Sequence, residues 1–410
     1  MPTPGTSSMS RCPPASRQVR ARRTCWSLPT TIWLTWRAAA CNLLNMDGFR
    51  SSFRGGSARR RGRLALFAIL FCRRRHAFPT ILCENGGWCG TDEHHAHLRI
   101  MSTAIYTHPD CSLHDMGSWH PECPGRLCAI EDQLILSRLE GLVEQVSAPL
   151  ADEADILRNH TQAALDLVRD NVPTAAGELY PLDGDTLLCK DSYRAALRAA
   201  GAAVAATDAV IAGTIANAFC AVRPPGHHAT PESPMGFCLF NNVAIAARRA
   251  LDVHGLERIA IIDFDVHHGN GTAASFRDDP RVLMASFFQH PFYPYTEPEP
   301  ITATSVNVPV PAYTGGDVVR KLVTEQWLPA LHAFRPQMIF ISAGFDAHKE
   351  DDMGGMALVE ADYAWITHQI ADIARRYAGG RIVSCLEGGY ALSALGRSVV
   401  AHVKALAELD

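Results

Sequence analysis

The chain has 410 residues, 47% of them hydrophobic, and a net charge of −4 at pH 7. It can bury a large core, and its weakly acidic balance argues against a protein whose main task is to grip a polyanion. The average conceals a split. Residues 1–100 hold 16 arginines, no lysine and four acids (Asp47, Glu84, Asp92, Glu93), a balance of +12, while the other 310 residues carry −16.

The first hundred residues do not read as a domain. Proline, serine and arginine clusters dominate, and no period of 2 or 3.6 is sustained. The one strong apolar run, Leu64–Cys72, has arginines on both sides and falls short of the roughly 20 residues that span a bilayer. The expectation is that 1–100 is a disordered extension or upstream translation, with Met101 as a start. An organelle transit peptide is the alternative for an arginine-rich, acid-poor leader. His94, His95 and His97 are read as incidental. The 13 cysteines include no CxxC pair and are read as free thiols in a reducing compartment, which points to the cytoplasm.

From residue 101 to 410, short apolar runs alternate with long amphipathic ones. Strands are expected at Ala104–Thr107, Ala218–Val222, Arg258–Phe264, Val282–Phe287, Ser305–Val308, Met338–Ala343 and Arg381–Leu386. Helices are expected at Gly125–Leu139, Ser192–Ile211, Asn241–Val253, Asp317–Phe334, Glu360–Tyr377 and Ser393–Ala407. Strands apolar at consecutive positions are those buried on both faces. The alternation therefore predicts one α/β domain with a parallel sheet covered by helices on both sides.

Four polar clusters fall at strand ends: Arg223-Pro-Pro-Gly-His227-His228, Asp263-Phe-Asp265-Val-His267-His268, Ala343-Gly-Phe-Asp346 and Glu387-Gly-Gly-Tyr390. The carboxyl edge of a parallel sheet is where such folds bind ligands. One such cluster is easily an ordinary turn; four, each rich in His, Asp or Tyr, are not.

Strand alternation places Asp265 and His267 on one side as two metal ligands, and Asp346 can supply a third from another strand end. Three protein ligands with an open position define a catalytic metal; zinc, Fe(II) and Mn(II) all suit the donor set. His227 and His228, presented by a stiff Pro-Pro-Gly turn, suit general base and acid. Gly226 is there for close approach or for positive φ. Each imidazole needs a partner on its other ring nitrogen, and Asp263 and Asn270 are the candidates. Tyr390 can donate its hydroxyl to a substrate carbonyl.

These motifs, with His108-Pro-Asp110 and His120-Pro-Glu-Cys-Pro-Gly-Arg126-Leu127, resemble the zinc-dependent histone deacetylase family from about residue 102 to the C-terminus. Asn270 and Glu387-Gly-Gly-Tyr390 are similar to its class II branch and to bacterial histone deacetylase-like amidohydrolases. The resemblance implies the arginase/deacetylase fold with an eight-stranded parallel sheet. It implies zinc on Asp265, His267 and Asp346, His228 as the main base and acid, and His227 as its electrostatic partner. It further implies Tyr390 as carbonyl donor, Gly236, Phe237 and Tyr293 along the acyl channel, and Met353 at its rim. Potassium is implied near Asp263, Asp265, His267, Ser286 and Phe287. Glu178, Asp183 and Asp185 are all candidates for the acidic residue that grips a substrate backbone.

The expected reaction is hydrolysis of an N-acyl amide by metal-activated water, with acetyl-lysine on protein as substrate. An acetylpolyamine or other small amide is the nearest alternative. An arginase-like ureohydrolase would need a second metal, and Asp346 stands without a DxD partner. A non-catalytic binding protein of the same fold would not need Tyr390 or His228. Neither a membrane nor nucleic acid is an expected partner, and self-association is left open.

Overall fold

The structure is a computed structural model that describes residues 102–409. The expectations for residues 1–100 and for Met101 lie outside the described residues. Eight strands, β1 Thr103–Thr107, β2 Glu144–Ser147, β3 Asn217–Cys220, β4 Ile259–Asp263, β5 Val282–Gln289, β6 Ser305–Val310, β7 Met338–Ala343 and β8 Ile382–Leu386, form one sheet. Their order is β2-β1-β3-β8-β7-β4-β5-β6, and every pairing is parallel. A small antiparallel hairpin, Tyr180–Pro181 with Leu187–Leu188, stands apart.

The central strands are apolar at consecutive positions because both faces are covered. All six residues of β7 and all five of β4 and β8 are buried. Among the described residues, ten α-helices follow in chain order: α1 Gly125–Leu136, α2 Glu153–Ile156, α3 Gln162–Asp170, α4 Ser192–Ile211, α5 Asn242–Asp252, α6 Asn270–Phe276, α7 Gly316–Leu322, α8 Leu328–Phe334, α9 Glu360–Tyr377 and α10 Leu392–Leu406. One buried cluster runs through the sheet into α1, α5, α9 and α10. A second, around Ile156, Leu165, Leu188 and Phe240, supports the hairpin side.

Two expectations need correction. The eighth strand was not among the runs read from the residues. β2 is an edge strand whose residues are exposed or half-exposed, so it lacks an apolar signature. The single helix expected over 317–334 is interrupted by a π turn at Val323–Trp327. Pro329 has no N–H to donate within an α-helix, and the wider turn sets Trp327 in the core, stacked on Phe287 at 5.7 Å. Pro309 is tolerated in β6 because that strand also lies at an edge.

Candidate active site

All eight strands run the same way, so their carboxyl ends share one edge. The four polar clusters emerge there from β3, β4, β7 and β8, which lie together in the sheet order. Their side chains converge: His227, His228, Asp263, Asp265, His267 and Asp346 are all buried.

His227 and His228 hang from a turn fixed by Glu387. The Glu387 Oε2 accepts from the backbone N–H of Gly226 at 2.6 Å and of His227 at 3.0 Å. Gly226 is required for close approach and not for positive φ: a Cβ there would lie 2.6 Å from the Asn242 backbone nitrogen. Burial and the nearby Asp263 leave Glu387 pushed up to about 7.

The two imidazoles take different partners. His227 Nδ1 lies 3.0 Å from Asp263 Oδ2, and His228 Nδ1 lies 2.7 Å from Asn270 Oδ1. The consequences are opposite. Burial disfavours charge on His227, but Asp265 and Asp263 outweigh it and hold its pKa well above 6.5. Burial, then the charges on His227 and His267, push His228 well below 6.5. Its one close side-chain partner, an amide, adds no negative charge. A charged imidazole thus sits 4.1 Å, ring to ring, from a neutral one.

Asp265, His267 and Asp346 form one group able to hold a metal ion, their donor atoms all within 4.8 Å of one another. His267 Nδ1 is 3.0 Å from Asp265 Oδ1 and 3.1 Å from Asp346 Oδ2. The route to this convergence differs from the expected strand alternation. β4 ends at Asp263, and Asp265 to His267 form a turn in which Asp263 Oδ1 accepts from Asp265 N–H and Asp265 Oδ1 from His267 N–H. A strand continued through His267 would have kept these backbone donors for a neighbour.

The donor set fits a divalent cation. Asp346 Oδ2 is buried with no donor but the His267 ring nitrogen near it, and burial and the adjacent Asp265 carboxylate push Asp346 up to about 7. Such crowding of negative charge is relieved by a cation. Backbone fills the space behind it. A Cβ at Gly344 would lie 2.0 Å from Asp265 Oδ2, and one at Gly388 2.1 Å from Asp346 Oδ2.

Tyr390 faces the triad from the end of β8. Burial overcomes the opposing Arg126 charge and, with Asp346 and Asp265 adding to it, keeps its phenol well above 10 and therefore protonated. Its ring packs edge-on against Phe237 at 5.9 Å and under the Arg126 guanidinium at 4.9 Å. Tyr293 stands edge-on to His228 at 5.1 Å. Gly236 has φ +57°, and a Cβ there would lie 2.6 Å from His228 and 2.8 Å from the Tyr293 hydroxyl. Met353 lies in the loop after β7, its N–H bound to Asp351. Of the three acids, Asp185 and Asp183 act on Tyr293, raising its phenol pKa together with burial, while Glu178 is exposed in the same loop. Ser286 is the register partner of Asp263, so the residues that the resemblance implies for potassium lie on the adjacent strands β4 and β5 and in the turn after β4.

Several residues around this site were not singled out from sequence. Phe292 stacks on His267 at 5.3 Å. Glu122 is wholly buried between Arg223, Arg126 and His114, and the two arginines hold it down to about 2. Asp351 accepts from the backbone N–H of Tyr390. Each acts through backbone or burial, which residue type alone does not reveal. A cavity of about 590 Å³ between α1 and β1, lined by Ile105, Leu113, Leu127 and Ile130, includes none of the site residues.

Three buried histidines and three buried aspartates, with Asp265, His267 and Asp346 able to hold a metal ion, make a candidate metal-dependent active site on an α/β sheet. The comparisons give the family. Residues 120–406 match the histone deacetylase domain. The chain is 37% identical over 307 residues to the chloroplastic histone deacetylase 14 of Arabidopsis thaliana, covering 70% of this chain and 73% of the relative. It is 39% identical over 280 residues to a histone deacetylase-like amidohydrolase of Pseudomonas aeruginosa, covering 66% and 72%. The crystal structure of the HDA15 HD domain superposes with a TM-score of 0.71 at 33% identity, covering 75% of this chain and 89% of that one. The chain belongs to the histone deacetylase family, whose metal-dependent members hydrolyse linear amide bonds, and it carries the family's fold.

Proposed function

We propose that this protein removes acyl groups from cationic amines, with N-acetyl-lysine on protein as the substrate and zinc as the metal on Asp265, His267 and Asp346. The observation that carries the reading is the buried Asp265, His267 and Asp346 triad able to hold a metal ion, with the Asn270-bound His228 beside it. Zinc held by the triad would supply Lewis acidity toward water and the acyl carbonyl.

His228 makes no hydrogen bond through Nε2 within the described residues, so that nitrogen takes a proton from the attacking water and returns it to the leaving amine. His227, charged between Asp263 and Asp265, keeps His228 neutral until it receives that proton. Tyr390 donates to the acyl oxygen as negative charge develops there, a contact worth about 3 kcal/mol. Phe237 and Tyr293 enclose the alkyl chain and exclude water. Potassium near Asp263, Asp265, His267, Ser286 and Phe287 would act as a structural ion.

The substrate class rests on charge at the mouth. Glu178, Asp183, Asp185, Glu232, Glu297 and Asp352 lie exposed or half-exposed, without a cationic partner, on loops at the carboxyl edge of the sheet. Among the described residues, Lys349 is the one unpaired cation on those loops. Burial and the neighbouring Asp183 raise the Asp185 pKa. An approaching cation relieves this repulsion, which favours lysine-rich peptides and acetylpolyamines alike. Turnover of the metal-loaded protein on acetyl-lysine peptides and acetylspermidine tests the reading. Release of acetate from the peptide with the higher kcat/KM supports it; preference for the polyamine moves the assignment to the second substrate; turnover of neither refutes it.

Among the described residues no helix is long and apolar enough to cross a membrane. We place the enzyme in the cytoplasm, with targeting by residues 1–100 as the alternative. A fluorescent protein fused behind residues 1–100 distinguishes them by where it accumulates.

A further inference from the structure

The main chain around Tyr390 is pinned from three sides. Gly388 N–H donates to Asp265 Oδ2 at 2.9 Å, and the Gly389 carbonyl accepts from Arg126 Nε at 2.7 Å. The N–H groups of Tyr390 and Ala391 both donate to Asp351 Oδ2, at 2.6 and 2.8 Å. The Tyr390 hydroxyl has no hydrogen-bond partner among the described residues, so the position of the phenol is set by its backbone and by ring packing.

Asp351 is buried and uses both oxygens. Its Oδ1 accepts from Met353 N–H at 3.0 Å. One carboxylate therefore ties the strand-end loop of β8 to the loop that carries the channel rim. The sequence neighbourhood explains the need. Ala391 is the N-cap of α10 and has no side-chain acceptor, so the first donors of a 15-residue helix would be orphaned. A carboxylate from another loop meets the N-cap donor, Ala391 N–H, and its charge suits the positive end of the helix dipole.

We propose that Asp351 is a positioning residue for the hydrolysis: by sharing its carboxylate between the backbone of Tyr390 and that of Met353, it sets the Tyr390 hydroxyl over the substrate carbonyl. The proposal rests on the reading of Tyr390 as the carbonyl donor. A displacement near 1 Å at such a donor costs on the order of 100-fold in rate, while substrate binding in the channel is untouched. Asp351 bonds to none of the metal ligands, so its effect runs through Tyr390.

The test is a double-mutant cycle on the full-length, metal-loaded protein: wild type, Asp351→Ala, Tyr390→Phe and the double variant, each with its metal content, melting temperature, kcat and KM. Asp351→Ala is expected to lower kcat by about 10- to 100-fold with KM within about threefold, and metal content unchanged. In the Tyr390→Phe background the same substitution should change kcat by less than about twofold. Asp351→Asn, which keeps one acceptor oxygen, should fall between, and it carries the test if Asp351→Ala does not fold. Equal losses of kcat in both backgrounds, loss of metal, or wild-type kcat in the Asp351 variants would overturn the proposal. Wild-type kcat in Tyr390→Phe alone would instead sink the underlying role of Tyr390.

Discussion

The Asn270 amide oxygen lies 2.7 Å from His228 Nδ1, whereas the neighbouring His227 faces the carboxylate of Asp263. A neutral acceptor orients His228 and carries no charge to favour its protonated form as a carboxylate would, and burial with the adjacent charges holds its pKa well below 6.5. Asn270→Asp places a negative charge at that contact and should raise the His228 pKa by about 1–2 units. Since His228 works as a neutral base, the acid limb of the kcat/KM profile should move to higher pH. A limb that stays in place would show that His228 is not the group titrating.

Gly388 offers a steric test of the triad. Its φ is ordinary, so alanine there is not a conformational problem, but the added Cβ would lie 2.1 Å from Asp346 Oδ2 and 2.6 Å from Asp265 Oδ2. Both ligands must move, and metal affinity should fall by about 10- to 100-fold, the usual cost of disturbing ligand support. Metal titration of Gly388→Ala, with circular dichroism to verify the fold, measures this. Undiminished affinity would place the metal elsewhere.

The acidic mouth should act at a distance. For acetyl-lysine flanked by lysines or arginines, kcat/KM should fall several-fold as salt rises from about 0.05 to 0.5 M, because the Debye length contracts. A neutral acetyl-lysine substrate should respond weakly. Asp183→Asn with Asp185→Asn should narrow the gap between the two substrates. Identical salt profiles for both would remove charge as the basis of selection.

Much of this was legible in the residues. The runs at 338–343, 192–211 and 360–377 match β7, α4 and α9 end to end, because each is long, apolar on its core side and bounded by turns. The His227–Asp263 pairing was also readable, since acid and imidazole emerge at neighbouring strand ends. β2 was not: edge burial imposes little pattern on Glu144–Ser147. Nor was the role of Asp351, which recognises backbone N–H groups of Tyr390 and Ala391 across 39 and 40 residues, whatever side chains they carry.

Three histidines away from the triad predict the acid side of stability. Burial pushes His402 down to about 3 and His114 and His160 down to about 4. His402 sits between the Thr367 and Ser384 hydroxyls, packed among Phe219, Phe264 and Phe345. Their folded pKa values lie below the unfolded one, so between pH 6.5 and 4 the unfolded chain binds more protons. Their contribution is full above about pH 6.5 and is lost as pH falls toward 4, by up to about 1.4 kcal/mol per pH unit for each histidine. The urea midpoint should therefore fall less from pH 7 to pH 5 in His402→Gln than in wild type; an equal fall in both would contradict this.

The central claim is a single-metal amide hydrolase worked by Asp265, His267, Asp346 and Tyr390. The most direct measurement is acetate release from an acetyl-lysine peptide, with metal content, for the zinc-loaded wild type, Asp265→Ala and Tyr390→Phe. The expected result is one triad-bound zinc in wild type and in Tyr390→Phe. That zinc should be lost, with activity, in Asp265→Ala, and kcat should fall about 100-fold in Tyr390→Phe with KM little changed. Wild-type turnover in either variant, or none in the zinc-loaded wild type, would contradict it.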